Sequence, residues 1–573
     1  MKRFVLGFII GLVFAGIVLF IIGYAAVHFG ERKVTVADGS TVVLHLEGDL
    51  PEVPPVEVPI PFFEQEQPMT VLDVWQLLRK AAGDSRIKAI VLEPRDLDIG
   101  WAKLEEIHDD VVNFKKSGKP VYAYLRGPTA REYYIATAAD KIYMSPEEEL
   151  DLKGIRAQLL YFKGTLDKIG VDMEFEHMGK YKDAPDQFTK TAPTPETLEV
   201  TNEILDQYYG NLVDVIAKGR NKKPEDVRAA LDNGPFVGKS AVDAGFVDEL
   251  LHEDEVFGRL KTALNAEVKR IGGEDYSRAQ LSGFTGNTKI AYIVGEGDIT
   301  RGATHENGTQ TGITATSMVK LLHQVENDSS VKGVIFRIDS PGGDGIASDD
   351  ILHAAKELAA KKPMIISMSD LCASGGYFIA ITGDPMIAYP NTLTGSIGVF
   401  FGKPNLKGLF AKLGITQTVL TRGRFADIDD IAAPLDDAGK AKLQHELEVF
   451  YRGFVERVAE ARKRPYDQVE PLAQGRVWLG VQAKQNGLID DLGGLDAAVQ
   501  MIRQKANIPA SEKIDLVTYP PRRTIWDVLF NRSDDSADVA SRALASVGVK
   551  GLPVRSLVHG GTLALLPFQV EVK

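Results

Sequence analysis

DSRIKAIVL at Asp84–Leu92 and DSSVKGVIF at Asp328–Phe336 are two versions of one segment, 244 positions apart. YYIATAAD at Tyr133–Asp140 and YFIAITGD at Tyr377–Asp384 repeat at the same distance, as do Pro146 and Pro390. VGKSAVDAGFVDEL from Val237 and LGVQAKQNGLIDDL from Leu479 lie 242 apart. Separate blocks sharing one offset point to a duplication. Around each block, short apolar runs alternate with helical patterns. Val71–Ala82 reads as a helix before the strand Ile87–Leu92, and Val121–Leu125 reads as the next strand. That alternation is the signature of an α/β fold. The expectation is two homologous α/β domains at residues 40–275 and 286–512, with a tail at 513–573.

The repeats differ where chemistry is carried. CASGGYFIA at Cys372–Ala380 places Ser374 among small residues, whereas the aligned position in the first repeat is Ala130, followed by Arg131-Glu132. Conversely, GKYKDA at Gly179–Ala184 carries Lys182, and its counterpart at position 426 is alanine. One repeat has a candidate nucleophile and the other a candidate base, which suggests one composite site. Ser374 follows the apolar run Met364–Ile366 and precedes a helix beginning near Tyr377. A serine there sits beside unpaired N–H groups of a first helical turn, Gly375 among them, which can hold an oxyanion. The competing reading is a helix cap in a glycine-rich turn. DSPGGDG at Asp339–Gly345 follows the strand Val334–Ile338, and its Gly342 and Gly343 suit the same oxyanion role. A phosphate loop is weakly supported, because no Gly-Lys-Ser/Thr ending follows. A lysine serves as base only when burial lowers its pKa from about 10.4. Met178, Tyr181, Ala184 and Pro185 offer apolar surroundings for Lys182, and Asp183 opposes the shift. The residues alone leave Lys180 and Lys182 both open.

Composition narrows the classes. A net charge of −13 over 573 residues argues against a nucleic-acid partner. Cys372 is the one cysteine, which excludes an intramolecular disulfide and a Cys-rich zinc site, and the ten histidines show no metal spacing. No metal or cofactor is expected. Residues 4–27 carry no charge, and 24 helical residues span roughly 36 Å, enough for a bilayer core. Lys2 and Arg3 precede this run, so residues 1–33 read as a membrane anchor with the body outside. A cleaved signal peptide competes, but the run is long and Ala25-Ala26 is a weak cleavage site. PEVPPVEVPIP at Pro51–Pro61 reads as an extended connector. Leu563–Pro567 is too short to span a membrane.

Taken together, ASGGYFIA at Ala373–Ala380, SPGG at Ser340–Gly343, TGSIGV at Thr394–Val399 and YKDA at Tyr181–Ala184 resemble the signature segments of the signal peptide peptidase (protease IV) family. The duplicated length and the anchor resemble its long, membrane-bound bacterial form. The resemblance implies Ser374 as nucleophile, Lys182 as general base, and a crotonase-like fold shared with Clp proteases. It further implies homo-oligomeric rings that degrade cleaved signal peptides, anchored in the bacterial inner membrane with the body on the periplasmic side. Two other classes stand beside it: a crotonase-like acyl-CoA enzyme, and a non-catalytic membrane scaffold of the same fold.

Overall fold

The computed structural model describes residues 34–53, 68–279, 286–302 and 312–521, together with Gly11 and the backbone of strands Thr562–Leu565 and Glu571–Val572. The expected anchor helix at 4–27 lies outside the described residues, apart from Gly11. Among the described residues no helix is long and apolar enough to cross a membrane.

The first repeat is built on β1 (Ser40–Gly48), α1 (Val71–Gly83), β2 (Ile87–Leu97), α2 (Trp101–Lys115), β3 (Val121–Leu125), α3 (Ala130–Ala136) and β4 (Lys141–Met144). Strand β5 (Asp172–Met178) projects away, and β6 (Glu249–Leu250) and β7 (Lys269–Gly272) complete a sheet of order β7-β1-β2-β3-β4-β6. All its pairings are parallel. Helices cover both faces of such a sheet, so its strands read as unbroken apolar runs. All five residues of β3 are buried, and each large apolar side chain so placed contributes roughly 1.5–3 kcal/mol. Helix α1 starts where it does because Thr70 and Asp73 form a reciprocal capping box.

The second repeat copies this order with β8 (Thr288–Glu296), β9 (Val331–Ser340), β10 (Gly342–Asp344), α4 (Gly345–Lys361), β11 (Met364–Ala373), α5 (Gly375–Ala380) and β12 (Met386–Ala388). Next come β13 (Leu393–Gly395), β14 (Val399–Asn405), β15 (Val477–Leu479), β16 (Asp491–Leu492) and β17 (Ile514–Tyr519). The parallel core runs β17-β8-β9-β11-β12-β16, the same order as the first sheet, while β13 and β15 extend the far end of β11. Strand β17 lies beyond residue 512 and pairs with β8, as β7 pairs with β1. The duplicated α/β fold is therefore present in strand order as well as in sequence.

A third sheet joins the repeats. Strand β5 of the first lies antiparallel to β14 of the second, in register from Met178 opposite Val399 to Asp172 opposite Asn405. Strand β18 (Thr562–Leu565) fills the space between β10 and β14, antiparallel to both. The stretch set aside as too short for a membrane thus holds a sheet strand. Glu52, read as part of an extended connector, is buried and meets Arg337 of the second repeat.

Candidate active site

Ser374 sits at the turn from β11 into α5 with φ 55° and ψ −113°. Few non-glycine residues adopt positive φ, and such strain persists only where the surroundings impose it. Here the Ser374 amide donates to the Gly395 carbonyl at 2.8 Å, which pins the turn to β13. Ser374 occupies the N-cap position, yet its side chain makes no capping bond. Its Oγ instead lies 2.8 Å from Lys182 Nζ.

Lys182 lies four residues after the end of β5, which the pairing with β14 carries from the first repeat into the second. Both Lys182 and Ser374 are fully buried. The lysine is packed against two glycines. A Cβ on Gly475 would stand 2.6 Å from Lys182 Cβ, and one on Gly398 would stand 3.2 Å from Lys182 Cδ. Lys182 Nζ also meets the Ser396 hydroxyl at 3.0 Å and the Ser396 carbonyl at 3.2 Å. Burial lowers the pKa of Lys182 to about 7, against a smaller upward pull from Asp183. Burial also lifts Asp183 to about 6, with the Thr197 hydroxyl opposing. Lys180 is exposed, its ammonium 4.6 Å from the Tyr181 ring centre. The choice left open between the two lysines is thus resolved in space: Lys182 meets Ser374, and Lys180 faces solvent.

The three glycines expected at an oxyanion site divide. Gly342 and Gly343 have φ 108° and 154°, conformations that suit glycine, as their turn requires. The Gly343 nitrogen lies 3.0 Å from where a Cβ of Gly375 would stand, so these two backbones abut beside Ser374. The Gly342 amide instead donates to Ser340 Oγ at 3.2 Å, within its own turn. That hydroxyl in turn donates to the Gly297 carbonyl at 2.7 Å.

Ser396 and Gly475 were not singled out from the sequence. Ser396 lies inside TGSIGV with φ 49°, and a serine directly after a glycine is the available signal. Gly475 carries no local signal, since its role is to leave room for a side chain 293 positions away. At the matching turn of the first repeat, Thr129 and Glu132 form a capping box, and the buried Glu132 accepts from the Leu97 amide at 2.7 Å. Among the described residues one group, His323, Glu326 and Glu357, gathers ligand atoms within 4.8 Å, and Lys361 already pairs with Glu326.

A buried hydroxyl beside an amine of lowered pKa, at a turn lined by glycine amides, can carry out acyl transfer by a serine nucleophile. Known proteins similar to this chain agree in class. The chain is 35% identical to "Serine protease SPPA, chloroplastic" of Arabidopsis thaliana, over 78% of this chain and 68% of that one. It is 31% identical to "Protease 4" of Salmonella typhi, over 86% of this chain and 80% of that one. "Protease 4" of Haemophilus influenzae is 29% identical over 88% and 85%. Among solved structures, ClpP1 from Listeria monocytogenes aligns with 36% of this chain at 19% identity and a TM-score of 0.23, too slight a likeness to carry an argument. Residues 113–268 and 356–509 match Peptidase family S49, one segment in each repeat. These segments cover more than half of the sequence, and the chain belongs to peptidase family S49, a family of serine peptidases.

Proposed function

We propose that this chain is an endopeptidase that degrades cleaved signal peptides and other apolar peptides through a Ser374–Lys182 dyad. The reading rests above all on the 2.8 Å approach of Lys182 Nζ to Ser374 Oγ in a buried setting that lowers the amine's pKa to about 7. In this scheme neutral Lys182 accepts the Ser374 proton as Oγ attacks the scissile carbonyl. The Gly343 and Gly375 amides hold the oxyanion. The Lys182 ammonium then protonates the leaving amine, and water, deprotonated by the now neutral Lys182, releases the acyl group. Ser396 keeps Nζ aimed at Oγ. An extended peptide would add a strand between β10 and β14, where the chain's own β18 now pairs.

The same reading carries an anchor helix at 4–27, a body on the periplasmic side, crotonase- and Clp-like repeats, and assembly into homo-oligomeric rings. These rest on the sequence motifs and the uncharged N-terminal run. A fluorophosphonate probe should label Ser374 in the full-length protein, and both Ser374→Ala and Lys182→Met should lose labelling and peptide cleavage together. Cleavage that survives Ser374→Ala would overturn the dyad. For topology, protease added to intact spheroplasts should digest the region beyond residue 33. Protection of that region until lysis would place the body on the other side.

A further inference from the structure

The two strands that lead to the reacting groups are gripped by one helical turn of the other repeat. Strand β9 reaches Asp339 three residues before Gly342, and β11 reaches Asp370 four residues before Ser374. Lys103, in the first turn of α2, is 4% exposed, and its Nζ lies 2.8 Å from Asp339 Oδ2 and 3.9 Å from Glu296 Oε1. The Asp370 carboxylate accepts from the amides of Gly100, Ala102 and Lys103, each at 2.9 Å. A carboxylate at a helix N-terminus is favoured by the exposed amides and the helix dipole. The fit is tight, since a Cβ on Gly100 would stand 2.4 Å from Asp370 Cγ. Asp339 Oδ1 also accepts from the Leu371 amide at 2.9 Å, which ties β9 to β11 directly.

The charge balance makes Lys103 more than packing. Around it lie the carboxylates Asp339, Asp370, Glu296 and Glu52. Glu52 and Glu106 share the buried Arg337 at 2.8 and 2.6 Å. Burial works against the Lys103 ammonium, and the surrounding carboxylates overcome it, holding its pKa well above that of a free lysine. Burial also lifts Asp370 to about 6 and Glu296 to about 7, with Lys103 pulling both down. Carboxylates outnumber the two buried cations, so Lys103 has no local substitute.

The duplication shows that the arrangement is not a property of the fold. At the offset of 244, Asp339 and Asp370 fall on Arg95 and Arg126, and Lys103 falls on Ala347. Arg95 is half-buried and Arg126 exposed, and they pair with Glu93 and Glu148 of their own repeat. In the second repeat the carboxylates at these positions, Asp339 and Asp370, instead face the opposite repeat, on the strand pair that leads to Ser374 and the glycine turn. We propose that Lys103 is a positioning residue of the peptidase site, an ammonium supplied by the first repeat that sets the spacing between Ser374 and the Gly343 turn of the second. The proposal rests on the dyad reading above.

The test compares full-length Lys103→Met and Lys103→Arg with the parent for kcat, KM, fluorophosphonate labelling rate and melting temperature. Lys103→Met should lower kcat and the labelling rate about 100-fold, the scale of a roughly 1 Å misplacement, with KM within about threefold. Lys103→Arg should recover kcat to within about tenfold of the parent. In the double variant Lys103→Met/Asp339→Asn, melting temperature should return towards the parent while kcat stays low. A folded Lys103→Met protein with parental kcat overturns the proposal. So does a double variant that regains kcat together with stability, which would make Lys103 a charge balancer alone. If Lys103→Met yields no folded protein, Asp339→Asn tests the same contact. It can still accept from Leu371, its kcat should fall about tenfold, and a parental kcat again overturns the proposal. Ser374→Ala run alongside separates the two ideas, because cleavage that survives it would sink the dyad whatever Lys103 does.

Discussion

The two repeats share a strand order and divide the chemistry. In the second, the turn after β11 holds Ser374 at positive φ among glycines. In the first, the matching turn holds Glu132, whose carboxylate bonds the Leu97 amide and occupies the corner. After the conserved strands the difference reverses. Residues 172–178 of the first repeat form β5 against β14, whereas the matching residues 416–422 of the second form no strand and are mostly exposed. A strand needs an edge to pair with, and the first repeat's counterpart of β14, Ala157–Gln158, pairs instead with Glu571–Val572. The comparison teaches that each repeat lost what the other supplies across their junction: a nucleophile from one, an amine from the other.

The largest expected effect comes from breaking that division. Lys182→Met should lower peptide cleavage by at least about 1000-fold with folding retained, because a serine without its base loses the proton transfer. Adding Ala426→Lys to that variant should restore nothing, since position 426 lies in an exposed turn and does not follow a strand paired as β5 is. Rescue by the relocated lysine would show that the second repeat can complete its own site.

Acidity should report the same amine. Neutral Lys182 is the active form and its pKa is near 7, so log(kcat/KM) should rise with unit slope below about pH 7 and level off above it. A flat profile between pH 5 and 9 would remove Lys182 from the base role.

Smaller effects sharpen the picture. Ser396→Ala should cost about tenfold in kcat, because Nζ loses a bond that aims it but keeps the Ser396 carbonyl. Truncation after residue 521 should lower KM about threefold with kcat unchanged, because β18 no longer competes for the space between β10 and β14. An unchanged KM would mean that the tail strand and peptides do not share that space. Lys180→Met should stay within about twofold of the parent in cleavage assays, as expected of an exposed side chain.

Much of this protein could be read along the chain. The repeated blocks locate both α/β units, because parallel strands buried on two faces leave apolar runs that survive duplication. The same alignment exposes the complementary positions of Ser374 with Ala130 and of Lys182 with position 426. Local sequence is enough for such features, since each is a short segment compared with its own copy. What only the tertiary structure decided are relations between segments hundreds of residues apart. The approach of Lys182 rather than Lys180 to Ser374 depends on the pairing of β5 with β14. The engagement of Gly342 by Ser340, beside a Gly343 turned towards Gly375, depends on one hydroxyl whose direction no motif reveals. The room made by Gly475, the grip of Lys103 on Asp339, and the pairing of β18 along β10 join parts of the chain with no sequence pattern in common. Periodicity and composition record what each segment does with its own neighbours. Burial and charge at the junction of two repeats depend on which distant groups the fold brings within a few ångströms, and there the chemistry is set.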